Sequence, residues 1–147
     1  MQKIIKRSLL IIWFGVIFYM SAISGDGSGN MSSGLLRELC VLFRVADIDA
    51  FVLKYHSLFR KVAHFTEYFI LGLLLYINLK DRYKDYRLLL FSILVCVIYA
   101  SSDEVHQLFV ADRNGSLKDV FIDSSGAVCG VFLTHLVDSI CCQEKKH

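Results

Sequence analysis

The sequence predicts an all-α polytopic membrane protein: four transmembrane helices, with an amphipathic interfacial helical segment between the first and the second. Three observations carry this reading. Of 147 residues, 55% are hydrophobic and none is proline, and the mean hydropathy is +0.51, too apolar for an ordinary soluble domain of this length. Four stretches, approximately 8–24, 62–79, 88–108 and 118–140, approach the length needed to cross a bilayer. That length is about 20 apolar residues, because a helix rises about 1.5 Å per residue across about 30 Å of hydrocarbon. The net charge of +2 balances 16 basic against 14 acidic residues, so no global field points to nucleic acid or to an acidic partner. The bilayer is the partner that composition implies, and the chain has the length of a single domain.

The first span, "SLLIIWFGVIFYMSAIS", follows Lys3, Lys6 and Arg7, which is also how a cleaved signal begins; "SAISGDGSG" lacks a small-x-small cleavage site. Residues 25–34, "GDGSGNMSSG", read as a flexible stretch without helical period. From 35 to 60, Leu36, Leu39, Phe43 and Ala46, then Phe51, Tyr55, Leu58 and Phe59, recur at helical spacing among Arg37, Glu38, Arg44 and Lys54. That pattern fits an interfacial helix or helical hairpin on the outer leaflet, read as a seal on the bundle rather than a lid over a site. The second span carries ionisable groups only near its start, the third only at its far end, and the fourth mainly at its beginning.

If each span crosses once, those three polar clusters lie on one side. Basic residues set the orientation: Lys3, Lys6, Arg7, Lys80, Arg82, Lys84, Arg87, Lys145 and Lys146 gather in the amino-terminal tail, one loop and the carboxy-terminal tail. Positive residues favour the cytoplasm, so both termini are expected inside and the polar cluster outside.

On the second span Lys61, His64 and Tyr68 fall at i, i+3 and i+7, with Glu67 on the adjacent edge. Lys61 also fits a snorkelling interfacial lysine. His64 and Glu67 need a partner or a wet cavity, since a charge in hydrocarbon costs about 3 kcal/mol by insertion scales. On the third span Asp103 and Gln107 share a face, flanked by Glu104 and His106; the apolar "LFV" after Gln107 keeps these acids near the membrane. Ser116 is placed to cap the fourth helix, with Asp119 in its first turn at the positive end of the dipole. Asp123 lies about 6 Å deeper, where capping no longer explains it. Gly126 and Gly130 share its stripe and suit close helix packing. Arg113, in the connection "ADRNGS", can fork to a carboxylate or to a phosphate. Five acids (Glu67, Asp103, Glu104, Asp119, Asp123) against Lys61 and Arg113 leave a negative surplus. Raised carboxylate pKa values, protonated His64 and His106, or a bound divalent cation would relieve it.

Cys40, Cys96, Cys129, Cys141 and Cys142 form an odd set without CxxC spacing; they support neither a disulfide framework nor a zinc site, and packing explains them better than acylation of Cys141 and Cys142.

Together "KVAHFTEY", "DEVHQLFV", the arginine and "KDVFIDSSGAVCG" resemble the VanZ-like family of small bacterial membrane proteins, over roughly residues 55–135. The resemblance maps the family's polar positions onto Lys61, His64, Asp103, Glu104, Gln107, Arg113, Asp119, Asp123 and Gly126. It departs at Ala111 and Asp112, where relatives commonly carry proline and glycine, so the loop that aims Arg113 is not carried over. The resemblance implies the bacterial cytoplasmic membrane and an association with low-level resistance to teicoplanin-type glycopeptides, a phenotype rather than a reaction. Three functions stay open. The polar pocket binds or modifies an envelope component: a wall precursor, a lipid head group or the glycopeptide. Alternatively the chain is a membrane-embedded, metal-dependent hydrolase or transferase acting on a lipid-linked or phospholipid substrate, with His64, Glu67, Asp103 or Glu104 as catalytic groups. In the third, the network only locks helices together.

Overall fold

The computed structural model describes residues 1–144, with side chains to Cys141. Lys145 and Lys146 of the charge bias, and the Cys142 side chain weighed for acylation, lie outside the described residues. Five helices follow one another: α1 (Gln2–Ala22), α2 (Gly25–Leu42), α3 (Ile48–Leu79), α4 (Asp85–Gln107) and α5 (Leu117–Glu144). Four of them, all but α2, are long and apolar enough to cross a membrane, and the chain is a multi-pass membrane protein.

The glycine-rich stretch is helical, contrary to the flexible segment the composition suggests. Gly25, Gly27, Gly29 and Gly34 each disfavour a helix by up to about 1 kcal/mol relative to alanine, so α2 depends on what surrounds it. Ser24 caps it by accepting from the Gly27 amide at 3.2 Å, Asp26 sits in its first turn, and the Gly25 amide donates to Ala111 O at 3.0 Å. At its far end Leu36 and Cys40 pack on Val52. The second half of the expected interfacial segment is no separate helix. Asp47 caps a helix that begins at Ile48 and runs 32 residues without a break to Leu79. At about 1.5 Å per residue that is about 48 Å, well beyond the hydrocarbon core. With no proline or glycine before Gly72 to interrupt it, the amphipathic turns simply continue the span. α2 and the start of α3 thus form a helical hairpin.

α3 and α5 are parallel neighbours in a fixed register: Gly126 packs on the Phe65 carbonyl, Gly130 on that of Phe69 and Gly72 on that of Ala127, each so closely that a Cβ would collide with the carbonyl oxygen. Glycines that let backbones touch are the usual way helices associate in lipid, where no hydrophobic drive exists. The expected packing role of Gly126 and Gly130 is what the structure shows, with Gly72 as their counterpart on α3. Tyr68, Leu71, Cys96, Ala100 and Ala127 fill the centre.

α1 is held differently. It buries only Ile17 and Ser21 and turns Ile4, Ile11, Ile12, Phe18 and Tyr19 outward. Hydrogen bonds strap it along its length: Asn78 Nδ2 donates to Lys6 O (3.1 Å), Trp13 Nε1 to Glu67 O (2.9 Å) and Tyr99 Oη to Phe14 O (2.8 Å). The starts of α1 and α4 and the ends of α3 and α5 therefore share one end of the bundle, where Lys80 pairs with Asp138 at 2.8 Å. The end of α1, the end of α4 and the start of α5 share the other.

Candidate functional site

At that second end the three polar clusters meet. Asp123, fully buried on α5, places Oδ1 3.6 Å from His64 Nδ1 on α3, one turn from the glycine contact that fixes the register. Neither carboxylate oxygen of Asp123 has a hydrogen-bond partner, nor has His64 Nδ1 or the hydroxyl of the adjacent, fully buried Tyr68. Nδ1 is enclosed, while the His64 side chain as a whole lines both adjoining cavities.

On α4, Asp103, Glu104 and Gln107 are all buried, so this helix end is not the solvated terminus that two neighbouring acids also allow. Glu104 Oε2 accepts the Ser116 amide at 2.7 Å, which fastens α4 to the start of α5. Glu104 is thus a structural tie through Oε2, while its Oε1 is buried without a hydrogen-bond partner. Gln107 Nε2 donates to Asp103 Oδ2 (3.2 Å) and Gln107 Oε1 accepts from Arg113 Nη1 (3.1 Å). Ser116 Oγ accepts from the Lys118 amide at 3.2 Å, as a capping serine should.

Arg113 is an internal clamp. Its Nη2 donates to Met20 O at 3.0 Å and its Nε to Ile23 O at 3.2 Å, satisfying carbonyls at the end of α1 that no later turn of the helix can reach. Burial, and after it the neighbouring Arg60 charge, lower its pKa from the ordinary arginine value, but a guanidinium stays charged at neutral pH. The loop that aims it has φ 58° at Asp112, the left-handed conformation glycine adopts most readily. Here an aspartate adopts it.

Two cavities adjoin here. The larger, about 520 Å³, lies among α1, α2 and α3; Ile17, Met20, Met31, Leu35 and Phe59 contribute its apolar wall, and Glu67 and Asp103 stand at its polar end. The smaller, about 330 Å³, is polar and opens between α3 and the α4–α5 loop, with Lys61, Asp112 and Asp119 in its lining. Arg60, His64 and Arg113 line both. α2 thus walls the larger cavity with one face while its Leu36 and Cys40 seal the hairpin, so it does more than the seal expected of it.

The expected residues divide accordingly. His64, Glu67, Asp103, Lys61 and Asp119 face the cavities; Asp123 stands behind His64; Gln107, Glu104 and Arg113 tie elements together. His106 leaves the group and stacks on Phe18 at 4.8 Å. Arg60 escapes the sequence reading, although Arg60, His64 and Glu67 fall at i, i+4 and i+7, as good a helical stripe as the one through Lys61. Ser21, buried beside the larger cavity, gave no signal of its own. Among the described residues, no group of three or more His, Cys, Asp or Glu side chains is placed to hold a metal ion.

No curated protein and no solved structure matches the chain. A family model described as VanZ/LLP1 matches residues 8–138, taking in most of all four spans and every cavity-lining position named above, and the chain belongs to the VanZ/LLP1 family.

Proposed function

We propose that this protein holds the anionic head group of an envelope component in the polar recess, with the recess open to the outside of the cytoplasmic membrane and both termini inside. The observation that carries the reading is that Arg60 and Lys61 line the recess without an ion pair among the described residues, while Arg113 is occupied as a clamp. Two cations with free donors beside His64 suit a phosphate-bearing head group. Binding such a component at the outer surface accords with the low-level resistance to teicoplanin-type glycopeptides that the family resemblance implies. The basic residues Lys3, Lys6, Arg7, Lys80 and Arg82 gather at the opposite end, which supports the orientation.

The test is the double variant Arg60→Gln/Lys61→Gln. It should insert at wild-type level and lose both retention of anionic lipid in purified protein and protection of a sensitive host against the drug. Unchanged retention and unchanged protection would remove the reading.

A second reading rests on His64. Its imidazole lines both cavities and has the Asp123 carboxylate 3.6 Å from Nδ1, a pairing suited to general acid or base work once the contact shortens to a hydrogen bond in a ligand complex. Under it, His64→Gln keeps the bound amphiphile and abolishes the phenotype; a His64→Gln protein with full protection would rule it out. No step of either reading requires a divalent cation.

A further inference from the structure

α1 and α2 are joined by Ile23 and Ser24 alone, yet they pack mainly on other helices: α1 rests on α3 and α4, and α2 on α3. The space left between them is the larger cavity, at the level of the last two turns of α1. Building on the head-group reading, we propose that the ligand is an anionic phospholipid-type amphiphile that enters sideways from the bilayer, its hydrocarbon chain lying between α1 and α2 and its phosphate at Arg60.

The chemistry of the walls argues for a chain as well as a head. Met31 and Leu35, on the cavity side of α2, are 51% and 52% exposed, and opposite them stand Ile17 and Met20. Ser28, Asn30, Ser32 and Glu38 of α2 also border the space, but most of its lining surface is apolar, and a soluble anion would leave that part unfilled. A hydrocarbon chain matches it, and a cavity of about 520 Å³ is of ligand-binding size. The polar end then sits where the phosphate of a lipid in that leaflet would sit, because Arg60 and His64 line both spaces. Gly34 lines the cavity and a Cβ built there meets nothing within 4 Å, so side chains of increasing size at 34 begin in open space beside the chain's path. The small residues that made "GDGSGNMSSG" look unstructured are then the thin side of a lateral entrance.

The experiment uses the full chain in detergent and native mass spectrometry with dioleoyl phosphatidylglycerol, dihexanoyl phosphatidylglycerol and dioleoyl phosphatidylcholine as probes. Wild type should retain the long anionic lipid at least tenfold over the zwitterionic one. In the series Gly34→Ala, Gly34→Leu, Gly34→Phe, retention of the long anionic lipid should fall stepwise, tenfold or more at phenylalanine, while the short-chain lipid binds as to wild type. Arg60→Gln should weaken both anionic probes. Should Gly34→Phe hold the long lipid like wild type while Arg60→Gln loses it, lateral entry is overturned and the head-group reading stands. Equal loss of short and long probes at Gly34→Phe also overturns it, since the chain would then not be what position 34 meets. If neither substitution matters, both readings fall.

Discussion

Replacing Arg113 should undock the end of α1 without unfolding the bundle. The guanidinium makes three hydrogen bonds, at 3.2, 3.1 and 3.0 Å, and two of them go to carbonyls of Met20 and Ile23. Interhelical hydrogen bonds in bilayers are worth about 0.6 to 1.7 kcal/mol, and a charged donor falls at the strong end of the usual range. Residue 113 is half-buried, so water takes over part of the role, and about 1.5 kcal/mol per carbonyl is a fair value. The two together come to about 3 kcal/mol, or about 100-fold in the docking equilibrium at about 1.4 kcal/mol per tenfold. Little else holds that end, because α1 buries only Ile17 and Ser21. Hydrogen exchange on the protein in lipid nanodiscs reads this directly: amides of the α1–α2 junction should lose about 100-fold protection in Arg113→Gln, while the α3–α5 contact keeps its own. Arg113→Lys should recover only part, since an ammonium cannot fork to two carbonyls. Unchanged protection at the junction in Arg113→Gln would refute the clamp and return Arg113 to the pool of ligand-binding cations.

Four further outcomes follow from the same geometry. Gly126→Leu drives a side chain into the Phe65 carbonyl and should cost at least about 3 kcal/mol, seen as lost folded yield in detergent; Gly15→Ala, with open space around it, should be neutral or stabilising by up to about 1 kcal/mol. Asp123→Asn should change thermal stability by less than about 1 kcal/mol, since neither carboxylate oxygen is hydrogen-bonded; a drop of about 3–5 kcal/mol would mean that the His64–Asp123 contact is an ion pair holding the fold. Asp112→Gly relieves the φ 58° backbone and should raise stability by about 0.5 kcal/mol once the added freedom of the unfolded chain is subtracted, seen as a slightly higher melting temperature. A lower melting temperature would show that the Asp112 side chain contributes more than its backbone strain removes.

Much of the site was legible because two periodicities coincide. Apolar length located the four spans, and alternating crossings then forced His64, Asp103 and Asp123 to one end whatever the packing. Arg60 was passed over because it stands four residues before His64 in a stretch rich in exposed polar groups, where nothing local distinguishes it from a solvated arginine. The role of Glu104 was equally hidden, since the amide it accepts belongs to Ser116, twelve residues on and around a loop.

By itself, then, the sequence determined helix type, the stretches able to span a membrane and the gathering of three polar clusters at one end of the bundle, because these depend on hydropathy and on distance along a helix axis. The tertiary structure alone decided which cations are spent on the fold and which face a cavity, since a guanidinium clamped at 3.0 Å and one in open space have the same local sequence signal. It also decided that a glycine-rich stretch becomes α2 and packs on α3. Propensity opposes that helix, and the Ser24 cap, the Ala111 carbonyl, the Ser32–His56 hydrogen bond and the packing of Leu36 and Cys40 on Val52 outweigh it.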